Sequence, residues 1–224
     1  MVQQQMPEHA ITVTSIQIHA DGHLLDGELS HPVGAQGLVM FAHGSGSSRL
    51  SPRNRYVAAR LNQAGLATLL FDLLTAEEEL SERLTGHIRF NIPLLSRRLV
   101  AATDQMCALP TTSGLALGYF GASTGAAAAL MAAAERPEQI RAIVSRGGRP
   151  DLAVVSLAGV CAPTLLIVGG ADHEVLMRNQ GVLPLLPSGS VLELIPGASH
   201  LFEEQGALEE VALIAADWFK RLLG

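Results

Sequence analysis

The sequence contains little cysteine and no excess of positive charge. Its 224 residues include only two cysteines, and 21 acidic against 15 basic side chains give a formal net charge of -6. Nucleic acids and anionic membranes bind basic surfaces, so this balance argues against either as the main partner and favours a small soluble substrate. Cys107 and Cys161 are too few for a disulfide framework. Each stands in an apolar stretch, so we expect reduced thiols packed in the core.

Membrane-length hydrophobic runs and targeting signals are also missing. The longest apolar runs, near Ala126 to Ala134, are far too short to cross a bilayer, and Met1 to Glu8 lacks the charged-then-apolar pattern of a secretory leader. A cytoplasmic protein is therefore expected. Histidines are scattered singly and no Cys-x-x-Cys motif occurs, which predicts neither a metal site nor a cofactor. The length suits one domain, taken as residues 1–224, and leaves the oligomeric state open.

Strands alternate with helices along most of the chain. An alternating segment from Ile11 to Ile18, a turn at Asp21-Gly22 and a return from Leu24 to Leu29 predict an N-terminal antiparallel hairpin. Later strands are predicted at 37–43, 66–71, 115–120, 140–145, 164–168 and 191–195, and helices from Ser51-Pro52 and over 94–109, 124–135 and 206–223. This order predicts an α/β fold in which helices cover both faces of a mostly parallel sheet. Ligands of such sheets bind at the carboxyl ends of the strands.

The segment from Leu73 to Asn91 has the weakest pattern. It carries Glu77-Glu78-Glu79 and Glu82. Either a short mobile flap over the site or a solvated surface helix fits this composition, and the solvated helix is the favoured interpretation.

Gly121-Ala122-Ser123-Thr124-Gly125 follows an apolar strand and opens an alanine-rich helix. On such a turn a serine is held in a strained conformation that exposes its hydroxyl, and the glycines avoid collisions with the neighbouring strand and helix. The pentapeptide alone occurs often by chance, so its weight depends on an acid and a histidine placed later. Asp172 and His200 each follow a predicted strand. We therefore predict Ser123 as nucleophile, His200 as base and Asp172 as the orienting acid, with Glu174 as the alternative acid.

The loop His43-Gly44-Ser45-Gly46 follows the strand residues Gly37 to Ala42 and is suited to binding an oxyanion. Its glycines allow backbone N–H groups to turn inward. We predict the N–H groups of Thr124 and Ser45 as the two donors, with Gly44 lining the substrate site. His43 is expected to brace this loop through hydrogen bonds rather than to transfer protons.

Arginines follow two of the strands that border the predicted site. Arg49 comes after the oxyanion loop with Arg53 close behind, and Arg146 follows the strand at 140–145. Arginine at the rim would suit a carboxylate or phosphate on the substrate, so Arg49 and Arg146 are candidate substrate-binding residues. The alternative is that these side chains hold loops in place through ion pairs with Asp72, Asp104 or Asp151.

Taken together, four motifs resemble the α/β-hydrolase superfamily and, more narrowly, its dienelactone-hydrolase-like branch. They are His43-Gly44-Ser45-Gly46, Gly121-Ala122-Ser123-Thr124-Gly125, Gly169-Gly170-Ala171-Asp172 and Gly197-Ala198-Ser199-His200. The resemblance runs from about Gly37 to Leu223. It implies an eight-stranded, mostly parallel sheet, here without a large cap domain, and hydrolysis of an ester or related acyl bond.

The nucleophile departs from the pattern of that branch. Dienelactone hydrolases proper use a cysteine where this chain has Ser123, which points to carboxylesterase-type activity on small carboxylic esters rather than to opening of lactone rings. Acyl transfer, or thioesters and lactones as substrates, remain alternatives because the same triad serves them. A non-catalytic binding protein on a hydrolase scaffold is an alternative of another class. The stretches 47–55 and 145–151 also resemble hydrolases of which some are fused to phosphoribosyltransferase-like domains.

Overall fold

An antiparallel hairpin opens the part of the chain that the computed structural model describes, which is residues 10–224. Strands β1 (Ile11–Ala20) and β2 (His23–Pro32) pair along their full length, and the turn between them has positive φ angles at Asp21 (50°) and Gly22 (78°). These angles suit a tight two-residue turn. The predicted hairpin is confirmed. The polar segment Met1 to Glu8, in which no leader is predicted, lies outside the described residues.

Six further strands follow the hairpin: β3 (Gly37–Ala42), β4 (Ala67–Phe71), β5 (Ala116–Ala122), β6 (Ile140–Arg146), β7 (Thr164–Gly169) and β8 (Val191–Ile195). Within residues 10–224 the eight strands form a single sheet in the order β1-β2-β4-β3-β5-β6-β7-β8. Strand β2 pairs antiparallel with β1 and β4, and every other neighbouring pair is parallel. The predicted mostly parallel sheet is confirmed.

Helices cover both faces of this sheet. Helices α1 (Pro52–Gln63) and α6 (Ala207–Leu223) pack on one face, and α3 (Ile92–Ala108), α4 (Thr124–Glu135) and α5 (His173–Val182) pack on the other. Alternate residues of β3 enter the two cores, with Met40 on the α3 side and Phe41 on the α1 side, which explains why the strands are apolar throughout. Short 3₁₀ helices span Ile88–Phe90, Pro150–Gly159 and Leu183–Leu185. No helix within residues 10–224 combines the length and the apolar character needed to span a bilayer.

Helix α2 (Ala76–Thr85) lies in the segment that the sequence left least certain. A capping box begins it: Thr75 Oγ1 accepts from the Glu78 N–H at 3.2 Å, and Glu78 Oε2 accepts from the Thr75 N–H at 2.8 Å. The predicted helix is present, but it is not solvated on all sides. Glu82 is only 2% exposed, because the chain that follows the helix folds back over it. Two backbone N–H groups of that chain donate hydrogen bonds to the Glu82 carboxylate.

The two cysteines differ from expectation. Cys107 and Cys161 are both exposed, so the prediction of core thiols is wrong. Met106 is on the buried side of α3, and Cys107 follows it by one position, which turns the thiol about 100° around the helix toward solvent. Cys161 stands in the loop before β7. An apolar neighbourhood in sequence therefore did not imply a buried side chain.

Candidate active site

Ser123 lies on the sharp turn between β5 and α4. Its φ of 53° and ψ of -122° are unusual for a residue with a side chain, and they mark a strained turn. The turn is held on both sides: the Ser123 N–H donates to the Arg146 carbonyl at 3.2 Å, and the Ser123 carbonyl accepts from the Arg149 N–H at 3.0 Å. A Cβ at Gly125 would collide with the Ala42 carbonyl, so glycine is required for α4 to start this close to β3.

Asp172 and His200 are joined by a hydrogen bond. The Oδ2 atom of Asp172 lies 2.6 Å from His200 Nδ1, which leaves the other ring nitrogen for chemistry. Asp172 directly precedes α5, yet its side chain does not cap that helix and turns to the histidine instead. Glu174, the alternative acid, pairs with Arg178 on its own helix. The structure therefore brings together the predicted acid and the predicted base.

Ser123 and His200 both lie near the carboxyl end of β6. The serine N–H binds the last residue of that strand, and a Cβ placed on the next residue, Gly147, would lie 3.5 Å from His200 Cε1. A hydrogen bond between Ser123 Oγ and the histidine ring is not formed among residues 10–224. Catalytic hydrogen bonds are often long without substrate and tighten when it binds. The His200 side chain is 40% exposed, so substrate can approach it from solvent.

The β3–α1 loop packs against the start of α4. The hydroxyls of Ser45 and Thr124 are 3.0 Å apart and hydrogen-bonded, which joins the two segments that carry the predicted oxyanion donors. The N–H of Thr124 lies in the first turn of α4, where backbone donors have no partner within the helix. A Cβ on Gly44 would lie 3.0 Å from the Ala122 carbonyl and 3.1 Å from Ser123 Cβ. Gly44 thus lies directly beside Ser123, the predicted nucleophile.

His43 connects the oxyanion loop to the chain after β4. Its Nε2 accepts from the Leu73 N–H at 2.9 Å, so the ring proton is on Nδ1, which donates to the Gly44 carbonyl at 3.0 Å. Burial lowers the pKa of His43 and keeps the ring neutral. These contacts agree with the predicted bracing role.

Arg49 and Arg53 lie in ion pairs. The guanidinium of Arg49 contacts Asp72 and lies 3.4 Å from Asp26, and its backbone N–H donates to Asp72 at 2.7 Å. Pairing with Asp72 was the alternative that the sequence left open for this residue. Arg53 pairs with Glu203 at 3.3 Å, a partner that the sequence did not indicate.

Arg146 is buried without a carboxylate partner in the part of the chain that the structure describes. It is 8% exposed, its guanidinium carbon lies 5.9 Å from the centre of the Phe120 ring, and Nη1 makes no hydrogen bond within residues 10–224. Burial, aided by the charge of Arg53, lowers the pKa of Arg146 to about 10. The side chain remains a cation at neutral pH.

A cavity of about 40 Å³, which we call the α2 cavity, adjoins the predicted oxyanion donors. Its floor includes Gly44, Ser45 and Thr124, and Leu95 of α3 forms part of its wall. Residues 74–91, which we call the roof, contribute most of the other lining: Leu74, Glu79, Glu82, Arg83 and Arg89. For this segment the sequence left a flap over the site as the alternative to the favoured solvated helix, and it assigned no role to Leu95.

The described part of the chain offers little for a metal ion. Within residues 10–224, no three His, Cys, Asp or Glu side chains are grouped as metal ligands.

Comparison with known proteins gives solved structures that match the chain over nearly their whole length. A solved structure described as dienelactone hydrolase from Anabaena variabilis ATCC 29413 is 56% identical and superposes with a TM-score of 0.93, covering 96% of this chain and 99% of that one. Est1E from Butyrivibrio proteoclasticus shares the fold at 16% identity, with a TM-score of 0.77 over 92% of this chain and 98% of its own. No family model matches the chain.

Two curated relatives are longer proteins. Both come from Mycobacterium tuberculosis, carry the name "Putative phosphoribosyl transferase", and are 55% identical over 204 residues, which is 91% of this chain. The chain spans 45% of their length, so that name describes proteins about twice as long. The Anabaena enzyme, in contrast, matches end to end. On that likeness the chain belongs to the dienelactone hydrolase family of α/β hydrolases.

Proposed function

We propose that this protein is a hydrolase that cleaves small carboxylic esters, with Ser123 as nucleophile, His200 as general base and Asp172 as its orienting acid. The observation that carries the proposal is the 2.6 Å contact between Asp172 and His200 at the sheet edge where Ser123 occupies a strained turn. Ser123 precedes Asp172 by 49 positions and Asp172 precedes His200 by 28, and each follows a strand of the parallel part of the sheet. Such convergence is typical of a nucleophile, a base and an orienting group.

The proposed reaction has two halves. The Oγ of Ser123 attacks the ester carbonyl while His200 Nε2 takes its proton, and the oxyanion accepts hydrogen bonds from the N–H groups of Thr124 and Ser45. His200 then passes the proton to the departing alcohol, which leaves an acyl-enzyme. Water, deprotonated by the same nitrogen, releases the acid and restores the serine. Asp172 accepts a hydrogen bond from His200 Nδ1–H throughout, and its negative charge stabilises the imidazolium that forms twice in the cycle.

Binding of a substrate anion by Arg49 or Arg146 stays a prediction. The charge of Arg49 is already opposed by Asp72 and Asp26, whereas Arg146 has an unpaired Nη1 and ends the strand beside His200. The leaving alcohol must lie near His200 to receive its proton. An anion bound by Arg146, on the same side, would therefore belong to the alcohol part of an ester. A neutral ester and its analogue with a carboxylate on the alcohol should be compared in wild type and Arg146→Ala. An unchanged preference would contradict this role.

The test of the reaction combines a fluorophosphonate probe, read by intact-protein mass spectrometry, with turnover of p-nitrophenyl acetate. Wild type should gain one adduct and turn over the ester. Ser123→Ala should lose both, with kcat lower by about 10⁴–10⁶. Exposed thiols can also be acylated by activated esters, so the control is the double variant Cys107→Ser, Cys161→Ser, which should behave as wild type. A folded wild type without adduct or turnover would instead favour the binding-protein alternative.

A further inference from the structure

The α2 cavity and His200 lie on opposite sides of the nucleophile. Ser123 follows β5, and the sheet order puts β6, β7 and β8 on one side of that strand and β3 and β4 on the other. His200 follows β8, whereas Gly44 and Leu74 of the cavity follow β3 and β4. If Ser123 is the nucleophile, the leaving alcohol must lie on the histidine side to receive its proton. The acyl chain then extends away from His200, toward the cavity.

We propose that the α2 cavity is the acyl-binding subsite, that it admits short uncharged acyl chains, and that Leu95 sets their maximum length. This inference rests on the proposed function and specifies which part of the substrate is selected. It is carried by the size of the cavity, by the pairing of the charges around it and by the contacts that hold the roof in place.

The size of the cavity limits the chain. A volume of about 40 Å³ is a few times the roughly 10–15 Å³ that one water molecule needs, so the cavity holds only a few non-hydrogen atoms. The ester carbonyl itself occupies the oxyanion site outside the cavity, so these atoms are the carbons beyond it. Acetyl to butyryl groups place one to three carbons there, whereas a hexanoyl group places five.

The charges around the cavity are paired with one another. Glu82 contacts the Arg89 guanidinium, and Glu79 lies 2.9 Å from Arg83 across one turn of α2. Each pair joins one acid and one base of the roof, so the four side chains contribute no net charge. The remaining lining is glycine, serine, threonine and leucine, together with His43, whose ring stays neutral because burial lowers its pKa. A charged acyl group would enter this space without a counter-ion, and burial of an unpaired charge is strongly unfavourable.

Hydrogen bonds hold the roof in place, so the cavity can limit the length of the acyl chain. Besides Arg89, the Glu82 carboxylate accepts from the backbone N–H groups of Ile88 at 2.7 Å and Arg89 at 3.0 Å, so it fastens the 3₁₀ turn to α2. On the opposite wall Leu95 is 4% exposed and packed in the core between the sheet and α3. Its side chain is fixed by packing, and it forms a stable end to the space.

The experiment measures kcat/KM for p-nitrophenyl acetate, butyrate, hexanoate and hemisuccinate. Wild type should hydrolyse hexanoate about 10–200-fold less efficiently than butyrate, as expected when a pocket rejects added methylenes. Leu95→Ala removes three carbons from the wall and should bring the two esters within about threefold of each other. Leu99→Ala is the matched control, because it removes a leucine that is 0% exposed one turn along α3 and outside the cavity lining. It should keep the wild-type ratio.

Hemisuccinate tests whether the subsite rejects an acyl chain that carries a charge. Its acyl chain has five non-hydrogen atoms beyond the carbonyl carbon, as hexanoyl does, so in Leu95→Ala the two differ in charge at equal size. Hexanoate should be accepted and hemisuccinate rejected by at least about tenfold. If Leu95→Ala does not fold, Leu74→Ala at the less buried side of the cavity should produce the same change in chain length.

The outcomes separate this inference from the proposed function. A Ser123 adduct together with a butyrate-to-hexanoate ratio that is the same in Leu95→Ala and Leu99→Ala would overturn the inference and leave the proposed function standing. Equal use of hexanoate and hemisuccinate by Leu95→Ala would refute the neutral subsite alone. Loss of the adduct in wild type would instead refute the proposed function on which the inference rests.

Discussion

Arg98 joins the roof to α3, and its removal is the sharpest test of how the roof is held. Although charged, it is 1% exposed. Its Nη1 donates to the Leu73 carbonyl and to Glu78 Oε2, both at 2.6 Å, and Nη2 donates to Glu78 Oε1 at 2.7 Å. Glu78 is also the acid of the capping box that begins α2. Arg98→Met keeps the apolar stem and removes every one of these donors.

The expected loss of stability follows from the burial of the pair. Removing one partner of a buried ion pair costs about 3–5 kcal/mol, and because Glu78 is a quarter exposed, the lower end, about 3 kcal/mol, applies here. At about 2–4 °C per kcal/mol for a chain of this length, Tm should fall by about 6–12 °C. The loosened roof should also raise KM for short esters more than it lowers kcat.

The same contact predicts a pH dependence. Burial raises the pKa of Glu78, but the hydrogen bonds and the charge of Arg98 outweigh it and hold that pKa below its usual value. A carboxyl whose pKa is lower in the folded state stabilises the fold above its unfolded pKa, and this stabilisation is lost as the pH falls through the folded value. The Tm difference between wild type and Arg98→Met should therefore narrow toward acid pH.

Thermal unfolding followed by circular dichroism at pH 8 and at acid pH measures both effects. The control is Arg97→Met, the same change at the neighbouring position, where the side chain is 54% exposed and lies 3.6 Å from Asp21. An exposed pair contributes about 0–1 kcal/mol, so that variant should lose less than about 4 °C. Equal losses in the two variants would refute the idea that Arg98 holds the roof.

Three further predictions concern the core and the loops. Because burial lowers the pKa of His43, stability should fall as the pH drops below the usual histidine pKa of about 6.5, and urea midpoints from pH 8 to pH 5 should fall less steeply in His43→Gln. Equal slopes would contradict this. Gly125→Ala introduces a Cβ that collides with a backbone oxygen of β3 and should cost about 3 kcal/mol or more in urea unfolding, whereas Gly114→Ala, which has nothing within 4 Å, should be nearly neutral. Arg146→Met removes a buried guanidinium with no carboxylate partner in the described chain and should change stability by less than about 1 kcal/mol in either direction. A large loss would reveal a partner for that cation.

Much of the fold could be predicted because its signals are local. The Asp21-Gly22 turn, the capping serine before Pro52 and the apolar strands each depend on a few neighbouring residues, and the structure agrees with them. The positions of Asp172 and His200 could be predicted for a related reason. Parallel strands bring their carboxyl ends to one edge, so residues directly after β7 and β8 had to lie near each other. Their catalytic roles stay predictions until the serine probe is applied.

What the sequence did not predict depends on contacts between distant segments. The pairing of Arg53 with Glu203 joins residues 150 positions apart, and the burial of Glu82 depends on how the chain after α2 folds back on it. The exposure of Cys107 depends on which side of α3 meets the sheet. In each case the sequence shows whether the neighbouring residues are apolar or charged. It does not show which way the side chain points, because tertiary packing determines that direction.

The roof is one uninterrupted stretch between β4 and α3, whereas Ser123, Asp172 and His200 come from other loops. In the roles proposed above, the roof and Leu95 select the acyl group and form one stretch, residues 74–95, whereas the three reacting side chains lie elsewhere in the sequence. The gene therefore encodes selection and chemistry in separate segments. Exchange of residues 74–95 between relatives should change which acyl groups are accepted without replacing Ser123, Asp172 or His200.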